Sequence, residues 1–262
     1  MESIAIDSLP QTLKDAISST RMLGCRYIWI DALCIIQDDP EDWQREAANT
    51  CSMYENAVLS LSILDAEGCN NGFLRSMPLA EDVDRNGSGT SIGLGRSVKN
   101  PAISALEASV LETRAWTLQE RTIAPAVLHF AADRMIWECC YGSAWCLQPN
   151  IKPKDSDQYL VELRRVQSRS HTSRAPRADL GIVARGASPY DIFAIRSMLG
   201  SAARIDALNL WYALVVDYTR RRITYNNDRP EAINGLAKRF QRCVAGLYTA
   251  GLWSTDLHQG LL

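Results

Sequence analysis

The fold prediction starts from Tyr27-Ile-Trp-Ile-Asp-Ala-Leu-Cys-Ile-Ile36, an apolar stretch that only Asp31 interrupts. A strand that is apolar on both faces is typical of a parallel sheet covered by helices on both sides. We therefore predict a buried strand at 27–36. A carboxylate in such a strand needs a hydrogen-bonding partner or a function, so Asp31 is a residue of interest.

Helical patterns lie on both sides of this stretch. Before it, residues 9–24 carry apolar side chains at helical spacing, with Pro10 near the start and Gly24 as a stop signal. After it, acidic residues open a second helix at 41–55, where the helix dipole favours negative charge. Residues 57–64 follow as another predicted strand. This alternation of helix and strand predicts an α/β fold with a mostly parallel sheet.

The later part of the chain adds five more predicted elements. Residues 111–121 are a predicted short helix, and 126–131 and 134–140 are two strands of an added β-hairpin. Two C-terminal helices are predicted at 202–220 and 230–247. The tail that follows is apolar enough to pack back onto the core.

Composition divides the chain into an α/β domain at 1–149, an irregular basic linker at 150–200 and a C-terminal helical segment at 201–262. The linker is rich in Arg and Ser but has no interleaved aromatic residues for stacking on bases. A glycine-rich cluster at 87–93 lacks the spacing and the following Lys of a phosphate-binding loop. We interpret this cluster as a surface loop.

The charge and hydropathy of the chain argue against two classes of partner. The 262 residues include 28 Lys and Arg against 30 Asp and Glu, so no overall field attracts nucleic acid or an anionic membrane. No apolar run approaches the roughly 20 residues that span a bilayer, and the first residues do not resemble a signal peptide. We expect a cytoplasmic protein that binds neither nucleic acid nor membrane.

Metal-dependent and hydrolase chemistry are not expected. The eight cysteines include no CxxC pair, and neither GxSxG nor HExxH occurs. His129, His171 and His258 belong to no recognisable catalytic motif or Cys/His cluster. We predict no metal site and interpret the cysteines as buried free thiols.

Two blocks of sequence resemble the heterokaryon-incompatibility (HET) domain of filamentous fungi. The first is the stretch from Tyr27 through Gln37-Asp38-Asp39, followed by Asp42-Trp43, Met53-Tyr54 and Asn56-Ala57, and the second is Arg114-Ala-Trp-Thr-Leu-Gln-Glu-Arg121. The resemblance spans about residues 9–140. It implies a role in recognising non-self, with cell death when incompatible fungal cells fuse. The partners it implies are further copies of the chain or other incompatibility and NLR-type signalling proteins.

The family resemblance also implies a fold and a reaction. HET domains have been related to the TIR fold, a flavodoxin-like sheet wrapped by helices, and many TIR domains cleave NAD. In that class a glutamate follows a tryptophan by four residues on a helix beside the nucleotide pocket. Trp116 and Glu120 have this spacing, which places them on one helical face. Glu120 is the implied catalytic carboxylate at the ribose, with NAD as substrate and no permanently bound cofactor.

Five further residues are candidates for binding the nucleotide. Trp116 can stack on a base or belong to the core. Arg114 and Arg121 can bind phosphates or pair with Glu120. Asp31 lies inside the predicted strand, at the end of its first apolar half, and Asp38 lies just beyond the carboxyl end, where open α/β sheets bind ligands.

Structural roles for the acidic candidates stay open. Asp31 can be a buried, hydrogen-bonded carboxylate, and Asp38 or Asp39 can cap the helix that follows.

Two functional hypotheses follow. In one the domain is an NAD-consuming effector, and in the other it is a non-catalytic signalling module that oligomerises. A Glu120 turned into the core or locked to Arg114 would favour the module. HET domains usually begin with a strand bearing a Leu-Ser-Tyr-x-Trp-Gly-like motif, which Met1–Ser8 do not contain. We therefore expect a sheet without its first strand, and an inactive truncated copy is a third hypothesis.

Overall fold

The computed structural model describes residues 4–65, 68–74, 105–106, 108–132, 134–139, 142–147 and 204–260. The glycine-rich cluster at 87–93 and the predicted linker at 150–200 lie outside these residues. The helices are α1 (Gln11–Met22), α2 (Asp31–Cys34), α3 (Pro40–Asn56), α4 (Ala115–Ile123), α5 (Arg204–Arg220), α6 (Arg229–Phe240) and α7 (Leu257–Gly260). The strands are β1 (Ser60–Ile63), β2 (Ala126–Phe130), β3 (Arg134–Cys139), β4 (Gly142–Leu147), β5 (Tyr248–Thr249) and β6 (Leu252–Trp253). The predicted α/β class is confirmed.

Strands β1 to β4 form one mixed sheet in sequence order. β1 runs parallel to β2, whereas β2 with β3 and β3 with β4 are antiparallel. The predicted hairpin is β2 and β3, with Phe130 opposite Met135. β4 was not predicted, and the described strands do not show the expected predominance of parallel pairing. β5 and β6 form a separate two-stranded ribbon.

The stretch 27–36 does not form the predicted strand. Residues 27–30 belong to no strand, and the next four residues form the short helix α2. Tyr27 is 83% exposed and Ile36 is 56% exposed, so neither end of the stretch is buried. Asp31 is the first residue of α2, and its carboxylate accepts a hydrogen bond from the amide of Ala32 at 2.7 Å. A helix start favours this charge, whereas a buried strand would have to desolvate it.

Helices α1 and α3 lie where the sequence predicts them. α1 is followed by Gly24 at a φ of 73°, a conformation that favours glycine. Asp39 caps α3, because its carboxylate accepts hydrogen bonds from the amides of Glu41 at 2.9 Å and Asp42 at 3.2 Å. Capping is therefore the role of Asp39, while Asp38 is exposed in the preceding turn.

The core contains two main clusters of buried apolar side chains. The first cluster joins α4 to the C-terminal elements and includes Ala115, Leu118, Trp211, Leu214, Ala232, Leu236, Phe240 and Trp253. The second lies between the sheet and α1 and includes Ala16, Met22, Phe73, Leu128, Phe130, Met135 and Trp137. The residues of β2 are all buried. Helix α4 contacts the sheet through the ion pair of Arg121 with Glu138 and the C-terminal helices through Leu118.

Helix α6 packs closely against α3 and α4 at Gly235. The Gly235 amide donates a hydrogen bond to Oε1 of Gln119 at 3.0 Å. A Cβ at this position would clash with Gln119 and would lie 2.7 Å from the Cβ of Cys51. The contact therefore requires a residue without a side chain.

We expect Gly235→Ala to lower the free energy of unfolding by about 1–3 kcal/mol, because steric overlap outweighs the better helix propensity of Ala, about 1 kcal/mol. Urea denaturation measures the loss. Gly68→Ala is the control, since a Cβ added at Gly68 would have no heavy atom within 4 Å. Equal stability of the two variants would contradict the close packing of α6.

Candidate functional site

Three elements bring charged and aromatic side chains together around Glu120. Helix α4 carries Glu120, α3 carries Tyr54, and the start of α2 carries Asp31. The Tyr54 hydroxyl hydrogen-bonds to the Glu120 carboxyl group, and the charges of Asp31 and Arg114 act on the same carboxyl group. We refer to Asp31, Tyr54, Arg114 and Glu120 as the Glu120 cluster.

The helical period of α4 explains why Glu120 faces this cluster. Arg114 precedes the helix in an extended conformation, and the helix then runs from Ala115 to Ile123. Trp116 and Glu120 are four residues apart on one face, and both are half-buried. Leu118, in contrast, is fully buried against the C-terminal helices. The predicted spacing thus places Trp116 and Glu120 together at the edge of the core.

The environment of Glu120 makes it a weak acid. Its pKa is raised from the ordinary value of 4.5 to about 7, chiefly by burial and in smaller part by the like charge of Asp31. The positive charge of Arg114 and the hydrogen bond from Tyr54 lower the pKa, but burial outweighs them. Near neutral pH both protonation states of Glu120 are populated, which is the condition for general acid–base chemistry.

Tyr54 and Trp29 are members of this region that the sequence did not identify as site residues. Burial raises the pKa of Tyr54 well above its ordinary value, and the charge of Glu120 adds to this shift. The hydroxyl therefore stays protonated and donates to Glu120. The Trp29 ring lies edge-on to the Tyr54 ring, with centroids 6.1 Å apart. Both residues belong to the first block of the family resemblance, which was the signal that could have found them.

Arg114 does not lock Glu120 in place. Its side chain is exposed, and among the described residues no ion pair within 4.0 Å joins the two groups. Its charge acts on Glu120 from a greater distance, where solvent reduces the effect. Glu120 is therefore not fixed by a salt bridge to Arg114.

Arg121, for which phosphate binding and pairing with Glu120 were the two alternatives, lies on another side of α4 and pairs with Glu138 and Glu112. The guanidinium forms two hydrogen bonds with Glu138, from Nε to Oε2 at 2.9 Å and from Nη2 to Oε1 at 2.7 Å. Its Nη1 donates to Oε1 of Glu112 at 2.7 Å. Consecutive helical residues point about 100° apart, so Arg121 faces the sheet while Glu120 faces α3. The sheet-facing position places Arg121 in a structural ion-pair network.

This network continues through the interior between α4, the sheet and α5. Nε2 of His129 lies 2.8 Å from Oε2 of Glu138, and Glu112 joins Arg121 to Arg221. Burial alone would raise the pKa of Glu138. The positive charges and hydrogen bonds of His129 and Arg121 outweigh burial and hold that pKa well below its ordinary range. Glu138 is therefore ionised at neutral pH and fully paired.

The remaining candidates are not part of the Glu120 cluster. Asp38 is exposed, and it is not among the groups that act on the Glu120 carboxyl group. The described residues contain no group of three or more His, Cys, Asp or Glu side chains arranged to hold a metal ion. Across the helices that the structure describes, none combines the length and apolar character of a membrane span.

Comparison with known proteins gives a family match for the first part of the chain. Residues 1–120 match the family described as heterokaryon incompatibility protein (HET). The matched range contains every residue of the Glu120 cluster, together with Trp29 and Trp116. A search of curated proteins and a search of solved structures each gave no match.

Proposed function

We propose that this chain, whose residues 1–120 match the heterokaryon-incompatibility family, functions in heterokaryon incompatibility and acts there by hydrolysing NAD. In this proposal the domain is an effector that signals the presence of non-self and leads to cell death. The observation that carries the proposal is the half-buried Glu120 with a pKa of about 7, which Tyr54 hydrogen-bonds and Asp31 and Arg114 flank.

The proposed reaction breaks the bond between the nicotinamide nitrogen and C1′ of the ribose. Water adds at C1′, and the products are nicotinamide, ADP-ribose and a proton. The transition state has oxocarbenium character, so an ionised Glu120 beside the ribose would stabilise the developing positive charge and orient the hydroxyls. A carboxylate with a pKa near 7 can also accept the proton from the attacking water.

The other residues of the region have matching roles in the proposal. Tyr54 orients the Glu120 carboxylate through its hydrogen bond. Arg114, exposed beside the cluster, supplies a positive charge for the phosphates, and Trp116, on the same face as Glu120, supplies an aromatic surface for a ring. Trp29 supports Tyr54 by an edge-on contact.

Energetics favour this proposal over a purely structural role for Glu120. Burying a carboxyl group and placing it near a second carboxylate destabilise its ionised form, and neither helps the domain to fold. Such perturbed groups are concentrated at functional sites. Glu138 shows the contrast, because its buried charge is compensated by Arg121 and His129.

Nicotinamide release by the purified full-length chain tests the proposal, with the chain forced to oligomerise to mimic activation. We expect turnover that rises as pH increases through about 7, because the ionised form of Glu120 is the active one. Absence of nicotinamide release under these conditions would contradict the proposal. Crosslinking of the activated chain checks the accompanying proposal that copies self-associate.

The pH profile also makes a prediction about Asp31. Asp31→Asn removes a negative charge that raises the pKa of Glu120, so the acidic limb of the profile should move to lower pH. Asp65→Asn is the matched control, since Asp65 is an exposed aspartate that does not act on Glu120. A profile of Asp31→Asn that coincides with that of Asp65→Asn would show that the two carboxyl groups are not coupled.

A further inference from the structure

The start of α4 is held by the residues that immediately follow α5. The amide of Arg222 donates to the carbonyl oxygen of Thr113 at 2.6 Å, and the amide of Ala115 donates to the carbonyl oxygen of Arg222 at 2.8 Å. These two hydrogen bonds form a parallel bridge in which Arg114 pairs with Arg222. The backbone on both sides of Arg114 is thus fixed by a segment distant in the sequence.

The side chain of Arg221 strengthens the same junction from inside. It is only 4% exposed, and its Nη2 and Nε bind Glu112 and Asp217 at 2.8 Å each. Its Nη1 lies 3.4 Å from both the carbonyl oxygen of Arg114 and Oγ1 of Thr117. One guanidinium therefore contacts the residue before α4, the first turn of α4 and the last turn of α5.

This junction lies next to the Glu120 cluster, and its C-terminal residues lie outside the part of the chain that matches the family. Arg221 and Arg222 follow residue 120, where the match ends. Further along α4, the Gln119 side chain accepts a hydrogen bond from α6 through Gly235. C-terminal residues thus hold α4 at its first residue and beside Glu120, so they set the position of the helix that carries Trp116 and Glu120.

We infer that Arg221 is a positioning residue of the Glu120 cluster, acting through the backbone of Arg114 and the first turn of α4. The inference rests on the proposed NAD hydrolysis and assigns a part of that activity to the C-terminal segment. Arg114 lies beside Glu120 because Arg221 and Arg222 hold its main chain. Without Arg221, Arg114 and the first turn of α4 lose a buried anchor, and the cluster loses its geometry.

The position of Arg114 can be followed through the pKa of Glu120, which depends on the groups that face its carboxyl group. They are Tyr54 from α3, Asp31 from α2 and Arg114 from the residue before α4. Of these, Arg114 is the positive charge that favours ionised Glu120. Displacement of Arg114 should therefore raise the pKa of Glu120, whereas a general loss of stability without displacement leaves that pKa unchanged.

The test compares Arg221→Met with Arg239→Met in the full chain. Arg239 pairs with Glu55 on α3, outside the junction, so this control also removes an arginine from an ion pair. We expect Arg221→Met to reduce NAD turnover about tenfold or more and to move the acidic limb to higher pH, because small displacements of catalytic groups cost large factors in rate. Arg239→Met should leave the pH profile unchanged.

Arg221→Lys serves as the variant that retains a positive charge in the junction. We expect a smaller shift in the same direction, because Lys cannot reproduce the forked contacts of Arg. The Glu120 carboxyl group is also titrated by NMR, a readout that does not require activity. An unchanged titration in both Arg221 variants would overturn this inference, even if the wild-type chain hydrolyses NAD. A wild-type chain without turnover, but with a shifted titration, would overturn only the proposed function.

Discussion

Glu138→Gln is expected to lower the free energy of unfolding by about 3–5 kcal/mol, the range for breaking a buried ion pair by removing one partner. The side chains of Glu138 and Arg121 are 3% and 7% exposed, so water cannot replace the lost carboxylate. Gln retains the shape and one hydrogen-bond acceptor, but it leaves the charge of Arg121 partly uncompensated. Urea denaturation at pH 7 measures the effect.

The same network determines how acid affects the wild-type chain. The folded pKa of Glu138 is lowered below its ordinary value of 4.5, so the folded state binds fewer protons than the unfolded state at acidic pH. Its stabilisation is complete above the ordinary pKa and is lost as pH falls below it. We expect the stability of the wild-type chain to decrease in acid more steeply than that of Glu138→Gln.

Glu55→Gln is the matched control for Glu138→Gln. Glu55 also pairs with an arginine, Arg239, but the two side chains are 28% and 26% exposed. Partly exposed ion pairs contribute about 0–1 kcal/mol, since solvent screens them. A cost for Glu138→Gln as small as that for Glu55→Gln would show that the buried network does not stabilise the fold.

Glu120→Gln is expected to have two opposite effects. NAD turnover should fall by about 100-fold or more, the lower range for removing a general acid–base group. At pH 8 the variant should also be more stable than the wild-type chain by about 1–3 kcal/mol, an estimate reduced for the partial exposure of Glu120. The Gln amide retains an oxygen that accepts the hydrogen bond from Tyr54.

The direction of the stability effect follows from the raised pKa. Between the ordinary pKa of 4.5 and the folded value of about 7, the folded state binds more protons than the unfolded state. The stability of the wild-type chain therefore decreases as pH rises through this interval. Gln cannot ionise, so the two chains should be equally stable near pH 4 and diverge toward pH 8.

Thermal or urea unfolding at pH 4 and pH 8 checks this difference, alongside the assay of nicotinamide release. A Glu120→Gln variant with undiminished turnover would contradict the catalytic role. A stability difference that is the same at both pH values would contradict the raised pKa. Together the two measurements distinguish a catalytic role of Glu120 from a purely structural one.

The sequence predicted an element correctly wherever the interactions that stabilise the element are between residues close in the chain. Asp39 followed by Pro40 predicts the start of α3, because capping involves only neighbouring amides. The hairpin of β2 and β3 also follows from adjacent segments. The spacing of Trp116 and Glu120 places them on one face of α4, and the family blocks indicate the HET domain.

Only the tertiary structure decided how these elements meet. An apolar run at 27–36 is compatible with a strand or with an irregular segment. In the folded chain, Asp31 is the first residue of a short helix within this run. Glu120 and Arg121 are adjacent in the sequence, but Glu120 faces Tyr54 and Arg121 faces Glu138. Burial and ion pairing depend on residues far along the chain, such as Arg221, so no local pattern contains them.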